Sequence, residues 1–288
     1  MNTVMKYAAA GAFALGAMTT AAFAGSVTQP GERVGLAAGA PLPEGVYFVN
    51  TLDWGVRRVR DGNGGRGDVT VAVDIPVIAW STPWQVLGGR VQVLVATPLI
   101  HVATDNNLGG DTEYGFYNPF AAVQLAWDLG GGFGFSYYAG FYFNAGSNDL
   151  AFQSTSFNHA AAVSYTADGW NLTANLINGI HIDEDRGYRY PDFFNLDLTA
   201  TKTFGKWELG LAAYGSWDYN SPRGVAKQSQ FALGPLVGYN FGPVILQAYL
   251  TRDVYQKNYG GKDTRFWSRI IVPLWSPEKP LAPLVTKY

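Results

Sequence analysis

The stretch Phe193-Phe194-Asn195-Leu196-Asp197-Leu198-Thr199-Ala200-Thr201-Lys202-Thr203-Phe204, followed by Gly205 and then Lys206-Trp207-Glu208-Leu209-Gly210-Leu211-Ala212-Ala213-Tyr214-Gly215-Ser216-Trp217-Asp218-Tyr219, decides the fold class. Hydrophobicity alternates residue by residue on both sides of one glycine. Phe194, Leu196, Leu198 and Ala200 share one side, against Asn195, Asp197, Thr199 and Thr201. Trp207, Leu209, Leu211, Ala213 and Trp217 then stand against Glu208, Gly210, Tyr214 and Asp218. A period of two is a strand signal. Both runs are longer than the roughly five to six residues of a globular strand, and reach the roughly nine to eleven needed to cross a bilayer at a tilt.

The same pattern recurs along the chain. The expected strands are 46–54, 68–80, 90–101, 118–129, 132–145, 158–166, 170–180, 193–204, 206–219, 228–241, 244–253 and 266–274. Val69, Val71, Val73, Ile75 and Val77 form one side of the second, opposite Thr70, Ala72 and Asp74, and Trp170, Leu172, Ala174 and Leu176 form one side of the seventh. The polar sides carry Asn, Thr, Ser, Gly and Tyr rather than the Lys, Glu and Arg of a face in bulk water, which suits a narrow hydrated lumen. Trp54, Trp127, Trp170, Trp207 and Phe241 sit where interfacial aromatic girdles belong.

Connections alternate in length. Gly130-Gly131, Ala167-Asp168-Gly169, Gly205 and Gly242-Pro243 are tight turns, and Ser81 to Gly89 is longer but compact. The intervening joints are long and polar: 57–67, 105–117, 183–189, 218–227 and 256–265. Twelve strands with both ends on the short-turn side predict an all-β, antiparallel up-and-down transmembrane β-barrel, its short turns and termini periplasmic. Pro76, Pro98, Pro235 and Pro273 demand strand ends or bulges, because proline cannot donate to a ladder.

Composition supports export to an outer membrane. The 288 residues include 35 Gly, 9 Trp, 17 Tyr and 17 Phe, no Cys, and only 15% charged residues, against roughly 25% in soluble domains. Lys6, the apolar run Tyr7 to Met18 and Ala22-Phe23-Ala24 read as a secretory signal cleaved after residue 24. No later segment is apolar for long enough to be a membrane helix. The expected organisation is a signal peptide (1–24), an N-terminal periplasmic segment (25–44), the transmembrane barrel (45–275) and a C-terminal tail (276–288). A net charge of −2 without a basic tract argues against nucleic acid. Outer-membrane lipid and lipopolysaccharide are the expected surroundings of a Gram-negative barrel, and for Arg57, Arg58 and Arg60 two readings stand, contact with lipopolysaccharide phosphates and ordinary loop solvation.

Catalytic chemistry finds little to work with. His159 has Ser164 five residues on, across the strand, and His181-Ile182-Asp183 pairs a histidine with an acid two residues away in a polar loop. The run Asp183-Glu184-Asp185-Arg186, and Asp105, Asp111 and Glu113, could attract a cation but lack calcium-loop spacing. The lumen is the better site. Arg90, Gln92, Gln124, Asp128, Tyr138, Tyr142, Asn175, Asp197, Tyr214, Asp218, Gln247, Tyr249, Trp267 and Arg269 are the pore-lining candidates. They combine aromatic walls with a few polar groups, as suits moderately hydrophobic solutes. The competing reading makes them filler, Arg90 and Arg269 pairing with Asp128, Asp197 or Asp218 to close the channel. No cofactor, metal or catalytic residue is implied.

Ala40-Pro41-Leu42-Pro43-Glu44-Gly45-Val46-Tyr47-Phe48, then Trp80, Thr82, Pro83 and Leu87-Gly88-Gly89, then Gly234-Pro235, Gly238-Tyr239 and Val272-Pro273-Leu274 resemble the outer-membrane transporter family named for the meta-pathway of phenol degradation. The resemblance runs from Ala37 to Leu274. It implies an outer-membrane channel for passive uptake of small hydrophobic or aromatic compounds and brings no catalytic residues with it. The tail Ser276 to Tyr288 departs from the pattern, so the terminal aromatic assembly signal falls at Trp275 or Tyr288. A barrel enzyme of lipase or protease type, and a structural or adhesive barrel, are the other readings.

Overall fold

The computed structural model describes residues 25–60, 66–105, 110–147, 150–185 and 188–277. Fourteen strand segments follow one another: β1 (Gly45–Arg60), β2 (Arg66–Val86), β3 (Gly89–Ala96), β4 (Leu99–Thr104), β5 (Thr112–Phe116), β6 (Phe120–Gly130), β7 (Phe133–Tyr142), β8 (Ser154–Tyr165), β9 (Trp170–Glu184), β10 (Asp192–Phe204), β11 (Trp207–Tyr219), β12 (Ser229–Asn240), β13 (Ile245–Lys257) and β14 (Asp263–Trp275). Each pairs antiparallel with its neighbours, and β1 pairs with both β2 and β14, which closes the sheet. β2 is long enough to pair with β3 along its lower half and with β4 along its upper half. β3 in turn pairs with β6, and β4 with β5. Two staves of the wall are therefore interrupted strands, and the barrel has twelve staves, as the alternation predicts. Closure matters because each unpaired backbone group in hydrocarbon costs several kcal/mol.

Proline explains the interruptions. Thr97-Pro98 separates β3 from β4, and Tyr117-Asn118-Pro119 separates β5 from β6. The two breaks face each other, where the Tyr117 N–H donates to the Pro98 carbonyl at 2.8 Å. Pro76 lies within β2, between Asp74, which pairs with Leu99, and Val77, which pairs with Ala96. Its missing N–H thus faces the gap in the neighbouring stave. Pro273 sits at the register shift between β1 and β14.

The connections keep their alternation. Turns at 87–88, 131–132, 166–169, 205–206 and 241–244 lie at the end of the barrel where β1 begins and β14 ends. The longer links 105–111, 143–153, 185–191, 220–228 and 258–262 lie at the other. Among the described residues no helix is long and apolar enough to cross a membrane. Outward positions form an apolar belt that includes Leu52, Val123, Leu172, Leu211, Val237 and Leu250. Trp84, Trp170, Phe204, Trp207, Phe241 and Trp275 are exposed near the short-turn end.

One face assignment needs correction. In β2 the residues Val69, Val71, Val73 and Ile75 point inward and are buried, while Thr70, Asp74 and Ile78 point outward. Alternation fixes which residues share a side but not which side meets lipid. Here the apolar row packs against other inward apolar groups instead.

Candidate functional site

The lumen is occupied by the chain itself. Residues 25–44, expected to lie apart from the barrel on the periplasmic side, instead enter it and run through its interior toward the long-loop end. Ser81 Oγ–H donates to the Leu42 carbonyl at 2.9 Å, near the short turns. Further in, Gly39 N–H donates to Ser164 Oγ at 2.9 Å and Ser136 Oγ–H to the Ala38 carbonyl at 2.6 Å. Gly35 N–H reaches Thr199 Oγ1 at 2.7 Å, and its carbonyl accepts from Asn171 and Gln247. The Asp197 carboxylate accepts from Gly31 N–H at 2.9 Å and Arg33 N–H at 3.0 Å. Near the far end Asn195 donates to the Thr28 carbonyl and Thr28 Oγ1–H to Asn158 Oδ1. Gly25 N–H closes the series on Asp218 Oδ1 at 2.7 Å.

The physical reason lies in two complementary needs. The segment has no ladder of its own, only short turns such as Val34 N–H to the Gly31 carbonyl, so its backbone groups need partners once dry. The inner faces of the strands, chiefly β7 to β14 with Ser81 of β2, supply them as Asn, Ser, Thr, Gln and Asp. Small residues allow close approach: a Cβ on Gly134 would press on Ala40 and the Gly39 carbonyl at 2.7 Å. Val34 fits among Ala212, Tyr214, Ala232, Leu236, Tyr249 and Trp267.

Arg269 is the centre of this seat and is buried. Its guanidinium donates to Thr51 Oγ1 at 2.9 Å, Gln247 Oε1 at 3.1 Å, Tyr249 Oη at 3.3 Å and the carbonyls of Val34 and Glu32. Its partners are therefore carbonyls, an amide and hydroxyls rather than Asp128, Asp197 or Asp218. Gln92, Gln124, Tyr138, Tyr142, Asn175, Asp197, Tyr214, Asp218, Gln247, Tyr249, Trp267 and Arg269 all face inward and are buried. Arg90 is half-buried near the short turns, where it donates to the Thr82 carbonyl and meets Glu44 at 4.0 Å. Asp128 is not in the lumen. It is exposed and accepts Gly130 N–H at 2.9 Å, so it stabilises a turn.

The other side of the lumen is apolar. Val69, Val71, Val73, Ile75, Leu94 and Ile100 line it, with Tyr117, Tyr138, Tyr142, Phe152 and Phe193 beside them and Val27 of the inner segment against them. Asn118, fully buried at the stave break, ties the long link 143–153 to this wall. Its amide donates to the Phe143 and Phe152 carbonyls and accepts the Phe152 N–H at 2.8 Å. The interior is thus two-sided, polar around the segment and apolar opposite it.

Toward the long-loop end the inner wall carries charges that the sequence reading passed over. Arg265 pairs with Asp53 and with Asp263 at 2.7 Å. Arg57 lies 3.6 Å from Asp263 and 3.9 Å from Asp253, and stacks 4.3 Å from the Tyr259 ring. Arg57 therefore points inward, away from any surface phosphate, whereas Arg58 points outward and pairs with Asp68 at 3.3 Å. The signal was available. Asp53 and Arg57 alternate with Trp54 and Val56, and Asp263 and Arg265 share the parity of Trp267 and Arg269.

Two of the three histidines, His181 and His159, are also accounted for. His181 pairs with Ser154 rather than Asp183. Nε2 must carry the proton, because its partner 2.8 Å away is the Gly25 carbonyl, which only accepts. Nδ1 then accepts from Ser154 Oγ–H at 2.6 Å. This pair has the spacing of a hydrolase dyad, but Ser154 is fully buried and Phe152 stacks on the ring. Its geometry ties the wall to the inner segment. On the outer wall His159 meets Asn178 Oδ1 at 3.1 Å, and the neighbouring outward positions on β7 are Tyr137, Ala139 and Phe141. In the polar run, Glu184 accepts from Arg189 and Tyr190 N–H, and Asp185 from Asn144. Arg186 lies outside the described residues. Tyr190, in the 185–191 link, has its phenol pushed up to about 12 by burial.

Comparison with known structures places the architecture. The COG4313 outer membrane channel from Pseudomonas putida F1 matches over 85% of this chain and 99% of its own, with a TM-score of 0.63 at 16% identity. The CymD monoaromatic hydrocarbon channel matches over 82% of this chain and 90% of its own, with a TM-score of 0.47 at 10% identity. The translocator domain of the autotransporter NalP from Neisseria meningitidis matches over 82% and 91%, with a TM-score of 0.43 at 10% identity. No curated protein sequence matches the chain. A family model described as "Putative MetA-pathway of phenol degradation" matches residues 31–270, which takes in the whole barrel from β1 to β13 and most of the segment inside it, and the chain belongs to that family.

Proposed function

We propose that this protein is an outer-membrane channel for passive uptake of small hydrophobic or aromatic compounds. The observation that carries the reading is the inward row Val69, Val71, Val73 and Ile75 with Leu94, Ile100 and the tyrosines 138 and 142. An apolar solute gains about 25 cal/mol per Å² of its surface that leaves water along such a wall. The polar half holds the inner segment and the apolar half offers the path. Family membership fits the same role. Among the described residues the Ser154–His181 pair is the feature that favours an enzyme, and its burial beneath Phe152 speaks for an anchor instead.

The surroundings follow from the outer surface. Arg58, Arg66, Arg252 and Lys262, with Asp68 and Thr264, line a cleft of about 590 Å³ on the outward face near the long loops. Four cations against one carboxylate suit the phosphates of lipopolysaccharide. On this reading the long loops face outward from the cell and the short turns face the periplasm.

A strain lacking the protein tests the reading. Its initial uptake of a small aromatic should fall, and plasmid-borne protein should restore it. Unchanged uptake, together with no current from the pure protein in planar bilayers, would sink the transport claim.

A further inference from the structure

Asp218 is buried on the inner face of β11, and its known partners are two backbone N–H groups: Gly25 at 2.7 Å and Gln228 at 2.8 Å. Among the described residues no Lys or Arg nitrogen lies within ion-pairing distance of it. A carboxylate so placed is a strong acceptor with no countercharge in contact, Lys227 attracting it only from beyond ion-pairing distance, and a buried charge so placed is expensive. Gly25 sits in a closed cup. Its carbonyl accepts from His181, and a Cβ on it would run into the Pro191 carbonyl. The residues just before it, Ala22-Phe23-Ala24, form the small-x-small pattern at which leader peptides are cut.

We infer that hydrolysis of the Ala24–Gly25 bond makes a countercharge in contact with Asp218: the α-ammonium of Gly25 becomes its ionic partner and locks the inner segment in the lumen. Water adds across the amide, the C–N bond breaks, Ala24 leaves with a carboxylate, and the freed Gly25 nitrogen takes up protons before the segment is seated in the lumen. An α-amino group has a reference pKa of roughly 7.7–8.0, so it is charged at neutral pH, and a charge-assisted bond is about twice as strong as a neutral one. The cup accepts only glycine at this position, and it places the nitrogen on the carboxylate. A chain still carrying its leader would meet Asp218 with a neutral amide.

The test uses full-length protein expressed with its leader and purified from outer membranes. Intact mass and N-terminal sequencing should give Gly25 as the first residue. An amine-acylating reagent at neutral pH should then label the α-amine at least tenfold more slowly in the folded protein than after unfolding. Asp218→Asn should remove that protection. One serine inserted after the cleavage site should do the same by moving the charge one residue along, with the folded state of both variants checked by heat-dependent gel mobility. A different first residue, a retained leader, or a wild-type α-amine labelled as fast as in the unfolded chain would overturn the inference. Aromatic uptake with an exposed α-amine would leave the transport reading standing and remove only this one.

Discussion

Across the lumen, the Asp197 carboxylate on β10 holds the backbone N–H of Arg33 at 3.0 Å, and the same carboxylate takes Gly31 N–H at 2.9 Å. One side chain thus fixes a turn of the inner segment at mid-barrel. Hydrogen bonds to a charged acceptor contribute about 1.5–3 kcal/mol each. Asp197→Ala leaves both donors dry and unpaired, so the segment should loosen while the strand ladder persists. Single-channel recordings in planar bilayers should show larger or more frequent current steps than wild type. Identical traces would mean the segment is held elsewhere.

Arg269 makes the widest set of contacts in the seat, to wall and segment alike. Arg269→Met keeps its bulk but strips donors from the Val34 and Glu32 carbonyls. Leaving such buried groups unsatisfied costs about 1–3 kcal/mol apiece. The temperature at which the folded band disappears on a gel should drop clearly. A Met variant as heat-resistant as wild type would show that the guanidinium is dispensable.

Asn118 binds three backbone groups of the 143–153 link from the stave break. Asn118→Ala should free that link without opening the barrel, whose closure depends on β1 and β14. Limited proteolysis of the folded variant should cut within 143–153 at least several-fold faster than wild type. Equal rates would place the restraint in the link's own turns, such as Ala151 N–H to the Ser147 carbonyl.

Much of the architecture was legible because it rests on local chemistry. The period of two in Phe193–Phe204 and Trp207–Tyr219, the glycine turn between them and the alternation of link lengths all survive in β10, β11 and their neighbours. Lumen candidates on β9 to β14 were readable for the same reason, since their polar residues alternate with Leu and Trp. The β2 row was not, because Val69 to Ile75 alternates with Thr and Ala either way round, and only the partners across the lumen decide the side. Asp128 misled because a turn acceptor and an inward carboxylate look alike at a strand end. The inner segment was hidden for a deeper reason. Residues 25–40 carry no period at all, and their conformation is set by side chains more than a hundred positions away, such as Asn158, Asp197 and Arg269.

Central to the account is an apolar path beside the segment, and the most direct test alters that wall alone. Val71 and Val73 face the lumen on β2, and their side chains carry no group that could hydrogen-bond to the segment's backbone. Initial uptake of a labelled small aromatic should be measured in cells lacking the chromosomal copy and carrying wild type or the Val71→Asn, Val73→Asn double variant, at matched levels of folded barrel. The account predicts restored uptake with wild type and at least a several-fold lower rate with the double variant. Equal uptake by the two would contradict it.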